Sequence, residues 1–180
     1  MPRKIIHLDL DAFFCAVEEL HDPSLRGKAF AVGGKPEERG VVASCSYAAR
    51  AHGVRSAMPM GRAISLCPEM LIVPAKHHLY GKASKKVMAL LRDVTPLLEQ
   101  ISVDEAFLDV SDLPDATEMI GKRLQAQIKS ELGLSSSIGI ATNKLVAKIA
   151  NDVGKKAARR GISPFALTIV PAGQEANFLS

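Results

Sequence analysis

Residues 5–18 read Ile-Ile-His-Leu-Asp-Leu-Asp-Ala-Phe-Phe-Cys-Ala-Val-Glu, and the change of character inside that stretch decides the fold. Ile5 to Leu8 is a short apolar run that ends in Asp9-Leu10-Asp11, which predicts a strand buried on both faces and leaving its sheet at an acidic edge. A helix is expected at once over 12–20, with Asp11 as its N-cap. On it Cys15, Ala16, Val17 and Leu20 can share an apolar face while Glu18 and Glu19 turn outward.

Beyond that junction the elements between residues 22 and 74 are short. Strands are expected over 29–32, 41–45 and 70–73 and helices over 46–52 and 61–67, with Gly33-Gly34-Lys35-Pro36 as the turn between the first two strands. These pieces suit a small insertion lobe. From 77 to 98 the residues Tyr80, Ala83, Val87, Leu90, Leu91, Val94 and Leu97 recur at helical spacing, so a long amphipathic helix returns to the main core. A hairpin follows, 99–103 and 106–110 around a turn at Asp104-Glu105. Met119, Ile120, Leu124, Ile128 and Leu132 mark another helix, then come a strand over 137–141 and a helix from its cap Asn143 to Val153. The order predicts an α+β fold, a sheet with helices packed on one face.

Composition sets the bounds. A chain of 180 residues with 47% hydrophobic content can bury one core and a satellite lobe. No apolar run approaches the ~20 residues of a membrane span, and Met-Pro-Arg-Lys followed by Ile-Ile-His-Leu-Asp is no signal peptide, so a cytoplasmic protein without a membrane partner is expected. Cys15, Cys45 and Cys67 form no Cys-x-x-Cys pair and read as reduced, buried thiols. The net charge of +4 favours an anionic partner, and Lys144, Lys148, Lys155, Lys156, Arg159 and Arg160 crowd one stretch.

Adjacent central strands would bring Asp9, Asp104 and Glu105 to one sheet edge. Such carboxylates repel by about 4 kcal/mol per pair at ~4 Å and an effective dielectric near 20, a cost that a divalent cation removes. Hard oxygen ligands beside phosphate suit magnesium. The start of the helix offers the backbone N–H groups of Ala12, Phe13 and Phe14 to a phosphate, so the combination points to metal-assisted phosphoryl transfer. Asp11 reads as a cap rather than a ligand. The plainer alternative makes Asp104 a turn former and Asp9 a solvating group at a strand end.

Four stretches carry a family resemblance: residues 5–18, Cys-Ser-Tyr-Ala-Ala-Arg-Ala-His-Gly-Val-Arg-Ser-Ala-Met-Pro (45–59), Ser-Val-Asp-Glu-Ala-Phe-Leu-Asp-Val (102–110) and Gly-Ile-Ala-Thr-Asn-Lys-Leu-Val-Ala-Lys-Ile-Ala (139–150). Together and in this order the chain resembles the Y-family of translesion DNA polymerases, in particular its bacterial DNA polymerase IV group. The resemblance implies a palm with a central mixed sheet flanked by helices (1–12 and 77–166), a small α/β fingers lobe (13–76) and the start of a truncated thumb (167–180). It implies low-fidelity, template-directed nucleotidyl transfer from a dNTP to a primer on template DNA. Two magnesium ions would be held by Asp9, Asp104, Glu105 and the Leu10 backbone carbonyl, the three acids forming the catalytic set. Phe13, Phe14, Ser44, Tyr47, Arg50 and Lys148 would bind the nucleotide, Phe14 as the steric gate against a 2′-hydroxyl. Val41, Ala43 and Ala57 would leave room around the templating base. Any sliding-clamp contact would belong to a region beyond Ser180.

The chain departs from the family pattern in a longer, more basic loop over 154–166. Two rivals remain: a non-catalytic relative kept for DNA binding or partner recruitment, which the full acid set disfavours, and a nucleotide cyclase, which needs no lobe bearing Tyr47 and Arg50.

Overall fold

The computed structural model describes residues 2–157 and 163–180. In chain order the elements are β1 (Ile5–Leu10), α1 (Phe13–His21), β2 (Phe30–Gly33), β3 (Val42–Cys45), α2 (Tyr47–Ala51), α3 (Met60–Leu66), β4 (Leu71–Val73), α4 (His77–Val94), β5 (Leu98–Gln100), β6 (Glu105–Asp109), α5 (Thr117–Leu132), β7 (Ser136–Ala141), α6 (Lys144–Ala157), β8 (Leu167–Ile169) and α7 (Glu175–Leu179). They fall into two compact units, residues 2–11, 82–157 and 164–180 in one and 12–81 in the other.

The larger unit is a five-stranded mixed sheet in the order β5-β6-β1-β7-β8, antiparallel except for the parallel pair β7 and β8. The buried strand β1 lies at its centre, with Asp9 opposite Glu105 of β6 on one side and Ser137 of β7 on the other. Strand alternation then sorts the residues by face. On one face Ile5, Phe107 and Ala141 pack against Val146, Ala147 and Ala150 of α6. On the other, Ile138 and Ile140 lie beneath Gly121 of α5. Helices therefore cover both faces, not the single face expected. The reason is Gly139, where a Cβ would come within 2.0 Å of the Ala147 carbonyl oxygen and 2.5 Å of the Asn151 nitrogen. Its bare backbone lets α6 settle onto β7.

Asn143 caps α6 as expected, its Oδ1 accepting from the Val146 N–H at 2.9 Å. The helix runs past Val153 to Ala157, so the first four residues of the expected basic loop are helical. Arg159 and Arg160 lie outside the described residues. Leu167–Ile169 extends this sheet as its edge strand, and Phe178 of α7 packs against the cluster under α6.

The smaller unit holds a three-stranded sheet in the order β3-β2-β4, with β2 antiparallel to β3 and parallel to β4. Ala31, Val42, Cys45, Ala49, Val54, Met60, Ala63, Cys67 and Met70 form its core. The three thiols are free and buried. Among the described residues no helix is long and apolar enough to cross a membrane.

Gly139→Ala is expected to lower stability by about 3 kcal/mol, the upper end of overpacking costs, because the new methyl meets helix backbone rather than a movable side chain. A denaturant-midpoint comparison reads this directly; an unchanged midpoint contradicts the close approach.

Candidate active site

Three strand ends and one helix build the acidic edge of the larger unit. Asp9 and Glu105 are register partners across β1 and β6, and the Leu10 N–H donates to the Asp104 carbonyl at 3.0 Å. The β5–β6 turn is held by Ser102, whose hydroxyl donates to Asp104 Oδ1 at 2.6 Å and accepts from the Glu105 N–H at 3.1 Å. Glu105 thus begins a strand instead of sitting within the turn.

Helix α6 lines up Lys144, Lys148, Asn151 and Lys155 along one helical stripe; Lys144 pairs with Glu99 of β5, while Lys148 and Lys155 reach the acidic edge. Lys148 Nζ donates to both Glu105 oxygens, at 2.9 and 3.0 Å, and Lys155 Nζ donates to Asp9 Oδ1 at 2.5 Å. Burial pushes the Asp9 carboxyl up to about 7; Lys155 offsets part of that rise, and the charges of Asp104 and Glu105 add to it. Burial also raises Glu105, but the Lys148 ammonium outweighs it and holds that carboxyl below the ordinary range. Among the described residues no three acidic, histidine or cysteine side chains converge as metal ligands do. Asp9 and Glu105 are instead engaged by ammonium groups and Asp104 by Ser102. The donor set still fits a hard divalent cation, being all oxygen and made of like charges brought close together.

Asp11 is not a cap. Ala12 occupies the N-cap position of α1 with φ 45° and makes no side-chain cap. The Asp11 carboxylate instead accepts from the hydroxyls of Ser135 and Ser137, both at 2.7 Å, tying β1 to β7.

In the smaller unit the Phe14 ring stacks on Tyr80, centroids 4.2 Å apart and planes 13° from parallel. Phe13 is buried, so only its backbone is available to a ligand. The Arg50 guanidinium lies 5.1 Å from the Tyr47 ring centroid and donates to the Cys45 carbonyl, so the two share one surface of α2 as the i, i+3 spacing implies. Ser44 is buried against the Cys15 thiol, which burial pushes up to about 12. Val41, Ala43 and Ala57 are exposed around the hydrogen bonds that join Val42 to Ala57 and Met58.

The profile of the impB/mucB/samB family matches residues 8–152, which span both units. The chain belongs to that family. It is 51% identical over 153 residues to DNA polymerase IV of Pseudomonas aeruginosa, covering 83% of this chain and 44% of that protein. It is 43% identical to DNA polymerase IV of Alkalilimnicola ehrlichii, covering 99% and 49%. Among solved structures, DinB from Sulfolobus solfataricus matches with a TM-score of 0.87 at 29% identity, over 98% of this chain and 50% of that one. An insertion ternary complex of Dbh DNA polymerase gives 0.88 at 29% identity, over 98% and 51%. The Y-family resemblance of the four motifs and the α+β fold class both hold. The chain spans about half the length of the curated relatives it matches.

In this family member the outward turn expected for Glu18 is reversed. Glu18 is fully buried, accepting from the Tyr80 hydroxyl at 2.7 Å and from Lys76 Nζ at 2.6 Å, while Leu20 is 43% exposed. Its partners lie 58 and 62 residues away, and no local spacing announces them. Asn151 and His7 were equally silent, each resembling an ordinary core or surface position.

Lys76 is partly exposed and Glu18 is not, which makes the pair asymmetric. Lys76→Met is expected to cost about 3–5 kcal/mol by leaving a buried carboxylate short of its counter-ion, and Glu18→Gln about 1–3 kcal/mol. Thermal or urea unfolding of both variants gives the order; the reverse order contradicts this account of the pair.

Proposed function

We propose that the chain is the catalytic core of a template-directed, low-fidelity DNA polymerase that joins a dNTP to a primer 3′-hydroxyl. The observation that carries the reading is the pairing of Asp9 with Glu105 on the central strands, beside Asp104, under the lysines of α6. A purely structural sheet edge gains nothing from crowding these acids, since Asp9 and Glu105 must each be neutralised by a long side chain reaching from another element. The names of its relatives support the same reading.

Asp9, Asp104, Glu105 and the Leu10 carbonyl would hold magnesium, two ions per site. Bound there, magnesium supplies Lewis-acid stabilisation of the attacking and leaving oxygens in an in-line displacement. In that displacement the primer 3′-hydroxyl gives up its proton to solvent, its oxygen bonds to the α-phosphorus, and the bond from that phosphorus to the bridging oxygen breaks so that pyrophosphate leaves. Lys148, released from Glu105, is positioned on an exposed stripe to neutralise phosphate charge. Lys155 is its neighbour one helical stretch on and serves the same charge balance at Asp9.

On the smaller unit, Tyr47 and Arg50 present a phenol and a guanidinium suited to a triphosphate. The Phe14 ring, flat on Tyr80, forms a rigid platform under a deoxyribose and rejects a 2′-hydroxyl by contact. Ser44 contributes less than its motif implies, because its hydroxyl is turned to Cys15. Val41, Ala43 and Ala57 leave an exposed, small-residue surface around a templating base, and a pocket that does not squeeze a base pair discriminates weakly. Primer–template DNA and dNTP are the proposed substrates, and a sliding clamp is a candidate partner.

Primer extension with magnesium and single deoxynucleotides tests this. Weak template-directed addition is expected of a chain that spans about half the length of its relatives, and it should be lost in Asp104→Ala; DNA binding without any addition would favour a non-catalytic relative. Phe14→Ala should raise ribonucleotide incorporation relative to deoxyribonucleotide on the order of ten- to hundredfold, the equivalent of ~1–3 kcal/mol of relieved contact. Unchanged sugar discrimination would remove the gate assignment while leaving the acids in place.

A further inference from the structure

His7 is fully buried between β1 and α6, and among the described residues its Nε2 has no hydrogen-bond partner. That nitrogen faces Glu105 Oε1 at 3.8 Å, just beyond bonding distance, while Lys148 holds both Glu105 oxygens. Its other nitrogen, Nδ1, lies 2.9 Å from the Asn151 side-chain nitrogen.

The protonation of this ring is dictated by its surroundings. The Asn151 amide nitrogen also meets the Ser137 carbonyl at 3.0 Å and the His7 carbonyl at 3.4 Å. Turning the amide over would set its oxygen against two carbonyl oxygens, so the NH2 end faces them; its two hydrogens go to the nearest acceptors, Nδ1 at 2.9 Å and the Ser137 carbonyl at 3.0 Å, and a proton on Nδ1 would meet an amide nitrogen that cannot accept it. With Nδ1 accepting, the ring proton sits on Nε2 and points at Glu105. Gly139 makes the arrangement possible, because only a residue without Cβ lets Asn151 come this close to β1 and β7.

We propose that His7 is a positioning residue for Glu105: when Lys148 leaves, the Nε2–H of His7, locked by Asn151, takes one carboxylate oxygen and aims the other at the metal. The inference rests on the metal-site reading given above. A neutral donor suits this place better than a second lysine, since it orients the carboxylate without competing with the cation for its charge. Outer partners of this kind typically contribute about 10- to 100-fold to metal affinity.

Two measurements on the full chain test it. Nitrogen-15 NMR of the histidine rings should show His7 with its proton on Nε2 and a bare Nδ1; a proton on Nδ1 overturns the proposal. Binding of Mn2+ alone, followed by calorimetry or by the free-ion paramagnetic signal, should weaken about tenfold in His7→Phe. His7→Gln, which keeps an N–H near the same place, should retain most of the affinity. Equal Mn2+ affinity in wild type and His7→Phe overturns the role of His7 alone. No Mn2+ binding by the wild type overturns the metal site itself, and this inference with it.

Discussion

Everything at the acidic edge depends on one constraint: the carboxylate of Asp9 projects from the end of a strand that is otherwise buried on both sides. A charge there is poorly solvated, and burial accordingly raises the Asp9 carboxyl despite Lys155. The fold answers from above the sheet. Helix α6 crosses β1 and β7 at close range and lowers ammonium groups onto Asp9 and Glu105, so the helix is held by charge as well as by Val146, Ala147 and Ala150. Close range in turn requires Gly139. One missing Cβ, one buried strand and two lysines form a single device, and none of its parts makes sense alone.

That device has an open end in chemical terms. Among the described residues Lys148 meets Glu105, Lys155 meets Asp9 and Asp11, Asp104 accepts from Ser102, and Asp11 accepts from two further serine hydroxyls. Lysine is an imperfect counter-ion for such a cluster, being monovalent and carried on a stem whose immobilisation costs entropy. A divalent cation matches the charge better, and the two lysines are then available to phosphate. The same residues can thus serve as internal counter-ions in one state and substrate ligands in another, which joins the stability of the sheet edge to the proposed chemistry.

Much of this was legible in the sequence where the signal is local. The apolar run ending in Asp9, the cap at Asn143, the hairpin carrying Asp104 and Glu105, and the crowding of Lys144, Lys148 and Lys155 in one stretch follow from patterns within a few residues. Local pattern also misled. Asp11 has the chemistry of an N-cap but prefers Ser135 and Ser137, because those hydroxyls lie on the neighbouring strand and let it be buried. Glu18 has the spacing of a solvent-facing residue, yet Tyr80 and Lys76 give it partners that no window around it contains. Helix placement on both faces was hidden for the same reason: it turns on Gly139, whose meaning appears only when α6 is seen against it.

The residues that were misread or passed over share a property that explains it. His7, Glu18, Tyr80 and Asn151 are polar groups inside the protein, and a buried polar group persists only where a distant partner satisfies it. Its identity is therefore set by tertiary contact, not by periodicity. In both units such a group stands directly behind a residue assigned to chemistry: Tyr80 and Glu18 behind Phe14, His7 and Asn151 behind Glu105. An apolar residue could fill each space without the cost of burying a dipole. That polar ones occupy them argues that orientation, beyond packing, is what these positions supply, since a hydrogen bond fixes a ring or carboxylate in direction as van der Waals contact does not.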